Sequence, residues 1–458
     1  MLVAGLVMLL SFLWYVPAAY QATDMEAYHT YAFREFRFNN VMAMYVNHNL
    51  QEYNGPGFIL AGTGIEYPPL LSMLIRATAG LGVSEAVTPE AYRTGTPQHT
   101  PEAQNERKGN ILGYTWLNYV IHLLFGLLAV FLMANWAGAR PWIFAGSPLL
   151  FLFAGYNWDL IPIALSLAGL SLLKLSEARP DEGRGYNRLL EVSGYALLTV
   201  GISFKLFPLV FLVAALLWRA RQKMWRAAGL GVLTFATLTL LINLPFALAD
   251  FDSWSFFLWI HQNRPAELSV WYWLVGNMDP AIVARPDVTV AINTLSLFVV
   301  AGGWLASLAL AWKRGKGNFM LPLGCLLLVW WLTFNKVYDP NFDLYLIAIV
   351  AMLAAPTWLW ASVTLVSINW YIVTFAGLYF ASQPGTGDSS AWFLTHAGFL
   401  ALIVRLTVLG AMMAWLVRKL VANQESGVRS QEAGIRSQES GSRNQESGVR
   451  NQESGVRN

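Results

Sequence analysis

Lys205 lies in the stretch VGISFKLFPLVFL, Val200–Leu212, where most neighbours are apolar. A lysine at mid-bilayer costs about 3 kcal/mol or more, so it either snorkels to an interface or meets an anion. Lys336 raises the same question in Asn335-Lys336-Val337-Tyr338-Asp339-Pro340. Acidic, amide and phenolic side chains recur at similar places. Glu66 and Tyr67 open EYPPL, Asn157 and Asp159 flank a tryptophan between two apolar runs, and His261 and Arg264 sit in and just after WSFFLWIHQN. Asp24, in Thr23-Asp24-Met25-Glu26, directly follows the first apolar run. Cations and carboxylates brought to one interface would suit a ligand carrying phosphate at headgroup depth. Each residue also has a plainer role. Thr23 with Glu26 fits a helix capping box, Pro68 and Pro69 suit a rigid helix start, the tryptophans suit an interfacial belt, and any single lysine can snorkel.

The elements that must position these residues are membrane helices. Of the 458 residues, 56% are hydrophobic and only 12% charged, too few charges for a soluble surface of this size. The apolar residues cluster in long runs, and a span needs about 20 of them. Spans are expected near Met1–Tyr20, Ile111–Trp136, Trp142–Gly155, Leu160–Leu175, on both sides of Lys205, and near Ala227–Leu248, Val288–Trp312, Phe319–Asn335, Asp343–Ala355, Trp358–Phe380 and His396–Val417. Tyr67–Leu81 is apolar but short. Either it crosses and Trp142–Gly155 is re-entrant, or Gln21–Asn110 is one large outer region. The expectation is an all-α polytopic membrane protein with about twelve spans.

Basic residues recur at Arg179–Arg188, Arg219–Arg226, Lys313–Lys316 and Arg418–Lys419. Placing all four clusters in the cytoplasm puts the candidate residues on the outer side. The net charge of +3 forms no nucleic-acid patch, and the single cysteine, Cys325, excludes an intrachain disulfide. The first twenty residues lack a basic leader and a cleavage site, and read as a retained span. Residues 423–458 repeat NQESGVR-like heptads. One apolar position and one glycine per repeat cannot make a coiled-coil seam, so residues 1–422 are expected to be the folded domain and the rest a disordered cytoplasmic tail.

The successive motifs IEYPPLL, GARPWIFAGSPLLFLFAGYNWDLIPIALSLAGL, GISFKLFPLVFL and FNKVYDPNFDLYLI resemble those of the glycosyltransferase 87 family, mannosyltransferase-like membrane proteins of the GT-C superfamily. The resemblance covers about residues 1–420. Two departures stand out. The last motif usually reads Lys-x-x-Ser-Pro-Gln-Tyr, whereas here Lys336 is followed by Val337-Tyr338-Asp339-Pro340-Asn341-Phe342, and no Gly-x-x-Pro-Tyr pattern precedes Glu66. The resemblance implies a GT-C-like bundle with loop helices on the outer face, a polyprenyl-phosphate sugar as donor, and an acidic residue of the first outer loop as base, which maps onto Asp24.

Inverting transfer needs one carboxylate to take the acceptor hydroxyl's proton and cations to stabilise the leaving phosphate. Lys205 and Lys336 are placed for the phosphate, with Arg264 and His261 beside them. Glu66, Tyr67, Asn157, Asp159, Tyr338 and Asp339 are the expected substrate-binding residues. The implied reaction moves a hexose, with mannose the expectation, to a lipid or glycan acceptor at the outer face of the cell membrane; no cofactor is expected, no metal-ligating residues are singled out, and a divalent-metal requirement is left open. The partners are the donor, the acceptor and membrane lipids, not nucleic acid. Two other readings remain: a transporter or lipid flippase, for which charges at mid-membrane and repeated halves would be expected, and a non-catalytic scaffold on the same fold.

Overall fold

The computed structural model describes residues 1–21, 25–47, 50, 65–81, 101–177, 185–276, 280–283, 285–382 and 394–422. Asp24 and the repeats from Asn423 lie outside them. The described residues are helical, with one isolated bridge between Glu267 and Val337 and no strand. Six helices among them are long and apolar enough to cross a membrane: Leu2–Gln21, Gly109–Ala134, Trp225–Ala249, Pro286–Arg314, Thr357–Phe380 and His396–Val421.

Several expected spans are shorter. Pro69–Leu81 and Leu209–Arg221 have 13 residues each, so each rises only about 20 Å, less than the ~30 Å of a hydrocarbon core. Trp142–Gly155 is not one continuous helix but two, Pro141–Ala145 and Pro148–Phe153. The cause is local: Pro148 offers no N–H and holds Ser147 extended, and the Ser147 hydroxyl instead accepts from the Leu149 N–H at 3.1 Å. Asp343–Met352 is buried at all ten positions, as expected of a helix apolar on nearly every side.

The core is continuous from Ala4 to Leu420. Leu160–Leu175 and Arg188–Phe204 pack closely because Gly169 and Gly194 face one another. A Cβ on Gly169 would stand 2.8 Å from the Gly194 carbonyl oxygen, and one on Gly194 2.9 Å from that of Gly169. Small residues at such a crossing let two membrane helices approach. Trp225–Ala249 lies at the periphery, with only Ala227, Gly231 and Phe246 buried. At one end of the bundle Arg219 is buried against Glu191 and Glu177, and Arg221 donates to the carbonyls of Ala311 and Gly315. The described candidate residues gather at the other end, since Lys205 precedes the helix that ends at Arg221.

Candidate functional site

Turns and helix ends supply the site. Asn157 and Asp159 sit in the turn before Leu160–Leu175, where the Asn157 side chain accepts from the Trp158 N–H at 2.7 Å. The Trp158 indole is buried and donates to Asn118 at 2.7 Å, which anchors the turn to the helix Pro101–Ala134. Lys205 ends Arg188–Phe204 in extended backbone. Its ammonium donates to Asp159 Oδ1 at 2.6 Å and Asn157 Oδ1 at 3.0 Å, and lies 5.8 Å from the centroid of the Tyr67 ring. Lys205 therefore has an internal counter-ion, which its apolar sequence surroundings do not reveal.

Asp159 is fully buried and also accepts from the Tyr345 hydroxyl at 3.1 Å and from the Asn341 amide. It stands behind the wall of the site and holds Lys205 in place.

Two loops meet opposite that turn. Arg264 follows the helix Phe251–Asn263, which Asp250 caps by accepting from the Ser253 N–H at 3.0 Å. Its guanidinium is forked onto Glu267, at 2.9 and 2.6 Å, and lies 3.6 Å from Glu66. The Glu267 N–H donates to the Lys336 carbonyl at 3.0 Å and the Tyr338 N–H to the Glu267 carbonyl at 2.9 Å. These two bonds tie the Arg264 loop to the Lys336 loop. Lys336 donates to the Arg264 carbonyl at 2.7 Å and has no carboxylate in ion-pair reach among the described residues. Burial, with Arg264 nearby, lowers its pKa to about 8.

The Tyr338 ring faces the site, but its hydroxyl points away to Asp343 and Arg405. Arg405 is buried beneath both groups, an ion pair inside the bundle. Asp339 Oδ2 accepts from the Asn40 amide at 3.0 Å, and its Oδ1 accepts from the Tyr156 hydroxyl at 3.2 Å.

A cavity of about 730 Å³ joins these parts. Glu66, Tyr67, Asn157, Lys205, His261, Arg264, Lys336, Tyr338 and Asp339 all line it. One flank is apolar and includes Phe33, Phe38 and Phe375. The other includes Phe207, Leu258 and Trp331. Leu206 and Leu258, which also line the cavity, are partly exposed. The arrangement can take a molecule with an anionic head, polar groups and a hydrophobic chain. Among the described residues, no group of three or more His, Cys, Asp or Glu side chains converges as metal ligands.

Sequence reasoning missed several members. Glu267 stands three residues after Arg264, a spacing that could have suggested their pair. Asn40 and Tyr156 carry no such signal, because the bond from Asn40 spans 299 residues and that from Tyr156 spans 183. Arg405 is a charge in an apolar helix, a visible anomaly. A scan of protein-family models and a search of curated proteins each give no match for this chain.

Proposed function

We propose that the chain is a membrane glycosyltransferase of GT-C type, moving a hexose, mannose first among them, from a polyprenyl phosphate to a lipid or glycan acceptor with inversion. The observation that carries this reading is the cavity, in which cations and carboxylates from separate turns share one space with two apolar flanks. The order of the sequence motifs supports it as well. In this reading Lys336 and Arg264 take the phosphate, whose negative charge grows as the sugar leaves. Lys205, held by Asp159, adds positive potential from the wall. Glu66 and Asn157 bind hydroxyl groups, and the aromatic and aliphatic flank reaching Leu206 and Leu258 lodges the prenyl chain. The resemblance alone would give the base role to Asp24, which lies outside the described residues; the cavity offers carboxylates of its own.

The shorter apolar helices complete a bundle of about twelve membrane segments, and the cavity faces the extracytoplasmic side. Support for that orientation comes from the basic residues: at the end remote from the cavity Arg221 donates to the Gly315 carbonyl, next to Lys316, and the Lys316 N–H donates to the Leu420 carbonyl, next to Lys419.

The test is binding of a short-chain polyprenyl phosphomannose to the purified protein. Lys336→Met should weaken binding by roughly 10- to 100-fold, the range for a lost charge-assisted contact. Free Lys336 loses its proton through about pH 8, so binding should also decline as pH rises past that value, and Lys336→Met should lack this decline. Unchanged affinity in the variant would remove the phosphate role and with it the donor class.

A further inference from the structure

Three described carboxylates line the cavity: Glu66, Glu267 and Asp339. Glu267 is forked onto Arg264, and Glu66 faces the same guanidinium. Asp159, behind the wall, is held by Lys205. A carboxylate paired with a cation is a weak base, and protonating it would strand the cation. Asp339 differs. Its partners, Asn40 and Tyr156, are neutral donors, one to each oxygen, and among the described residues no cation is in ion-pair reach. Each oxygen keeps a lone pair, and the two donors fix the group's orientation without fixing its charge.

We propose that Asp339 is the catalytic base of this cavity, taking the proton of the acceptor hydroxyl. The inference rests on the transferase reading above. A bond forms between the sugar's anomeric carbon and the acceptor oxygen while the bond from that carbon to the phosphate oxygen breaks. The bonding pair leaves with polyprenyl phosphate, which becomes a dianion. The hydroxyl proton passes to Asp339, which becomes neutral. Total charge is unchanged at minus two.

The same loop carries Lys336 three residues earlier, and its backbone bonds to Glu267 hold it in place. One rigid turn thus presents the phosphate's cation and the proton's acceptor together. Asp339 occupies the position of the serine in the motif that this loop resembles, so the resemblance does not supply the role.

The surroundings also suit it. Burial raises the Asp339 pKa to about 6, with Lys205, the Asn40 bond and Arg264 acting against the rise and Asp159 adding to it. Tyr67, Tyr156 and Tyr338 also lie within its field. A base is most effective when its pKa lies near the working pH.

The experiment uses the full chain in lipid nanodiscs, short-chain polyprenyl phosphomannose as donor, and a membrane lipid extract as the acceptor source. Asp339→Asn should lower transfer at least ~100-fold, hold donor affinity within about threefold, and lack the acid limb expected of the wild type near pH 6. Asp339→Glu should retain measurable transfer with that limb displaced, which keeps the test decisive if the Asn variant folds poorly. Transfer by Asp339→Asn within tenfold of the wild type overturns the assignment. So does a loss of donor affinity equal to the loss of rate, an unmoved limb in Asp339→Glu, or an acid limb abolished by Asp24→Asn instead. A wild type that neither binds nor consumes the donor removes the transferase reading itself.

Discussion

Lys205 and Lys336 look alike in the sequence, each a cation beside apolar residues, and their partners separate them. Lys205 is buried against a fully buried carboxylate, so removing its charge strands Asp159. Breaking one side of a buried pair costs about 3–5 kcal/mol, whereas replacing both sides with neutral groups costs far less. Lys205→Met is therefore expected to lower the thermal midpoint of the detergent-solubilised protein sharply, and Lys205→Met with Asp159→Asn to recover most of the loss. A single variant as stable as the wild type would show that Asp159 does not depend on Lys205 as its counter-ion. Among the described residues Lys336 bonds only the Arg264 carbonyl, and its replacement should change ligand binding more than stability. The pH profile joins the two ends of the Lys336 loop. Asp339 must be ionised to accept a proton, and Lys336 must be protonated to hold a phosphate. Turnover should rise through about pH 6 and fall through about pH 8, a bell whose acid limb belongs to Asp339 and whose basic limb belongs to Lys336.

The elements that hold the site are mostly helix ends, and two devices make those ends rigid. The glycine crossing of Gly169 and Gly194 draws Leu160–Leu175 against Arg188–Phe204. The Asn157–Asp159 turn and Lys205 therefore emerge side by side. The second device is Arg405 on Phe399–Val421, which grips Asp343 and the Tyr338 hydroxyl from below. It ties the Lys336–Asp339 loop to the helix Asp343–Met352. Arg405→Leu should destabilise the fold by about 3–5 kcal/mol, because Asp343 would be left buried and unpaired. Arg405→Leu with Asp343→Leu should regain much of that stability while still losing ligand binding, since the Tyr338 anchor is gone. Thermal unfolding and donor binding measured on both variants check this. Full binding in the stable double variant would show that the loop keeps its shape without the anchor.

At the scale of the whole molecule, the cavity and the basic clusters mark opposite ends of the bundle. The proposed orientation places the cavity outside. Cys325, the only cysteine, is buried, which leaves a clean background for labelling. A cysteine placed at Gln262, on the cavity rim, should react with a membrane-impermeant thiol reagent added to intact cells. One placed at Lys313 should react only after the membrane is opened. The reverse pattern would invert the orientation and put the cavity on the cytoplasmic side.

Hydropathy and the ends of apolar runs are local properties, so they could be read along the chain. Composition alone pointed to membrane helices, and Lys205, Lys336, Asp339 and Glu66 stood out because each lies at the edge of an apolar run. Pro148 even carried the signal for the break in Trp142–Gly155. Pairing is not local. That Lys205 meets Asp159 across 46 residues, that Asn40 meets Asp339 across 299, and that Arg405 reaches Asp343 across 62 depend on which helix ends come together. Only the packed bundle decides which cation keeps its charge for a ligand and which spends it on a neighbour. Charge identity is written residue by residue, whereas charge neutralisation is a property of distance in space.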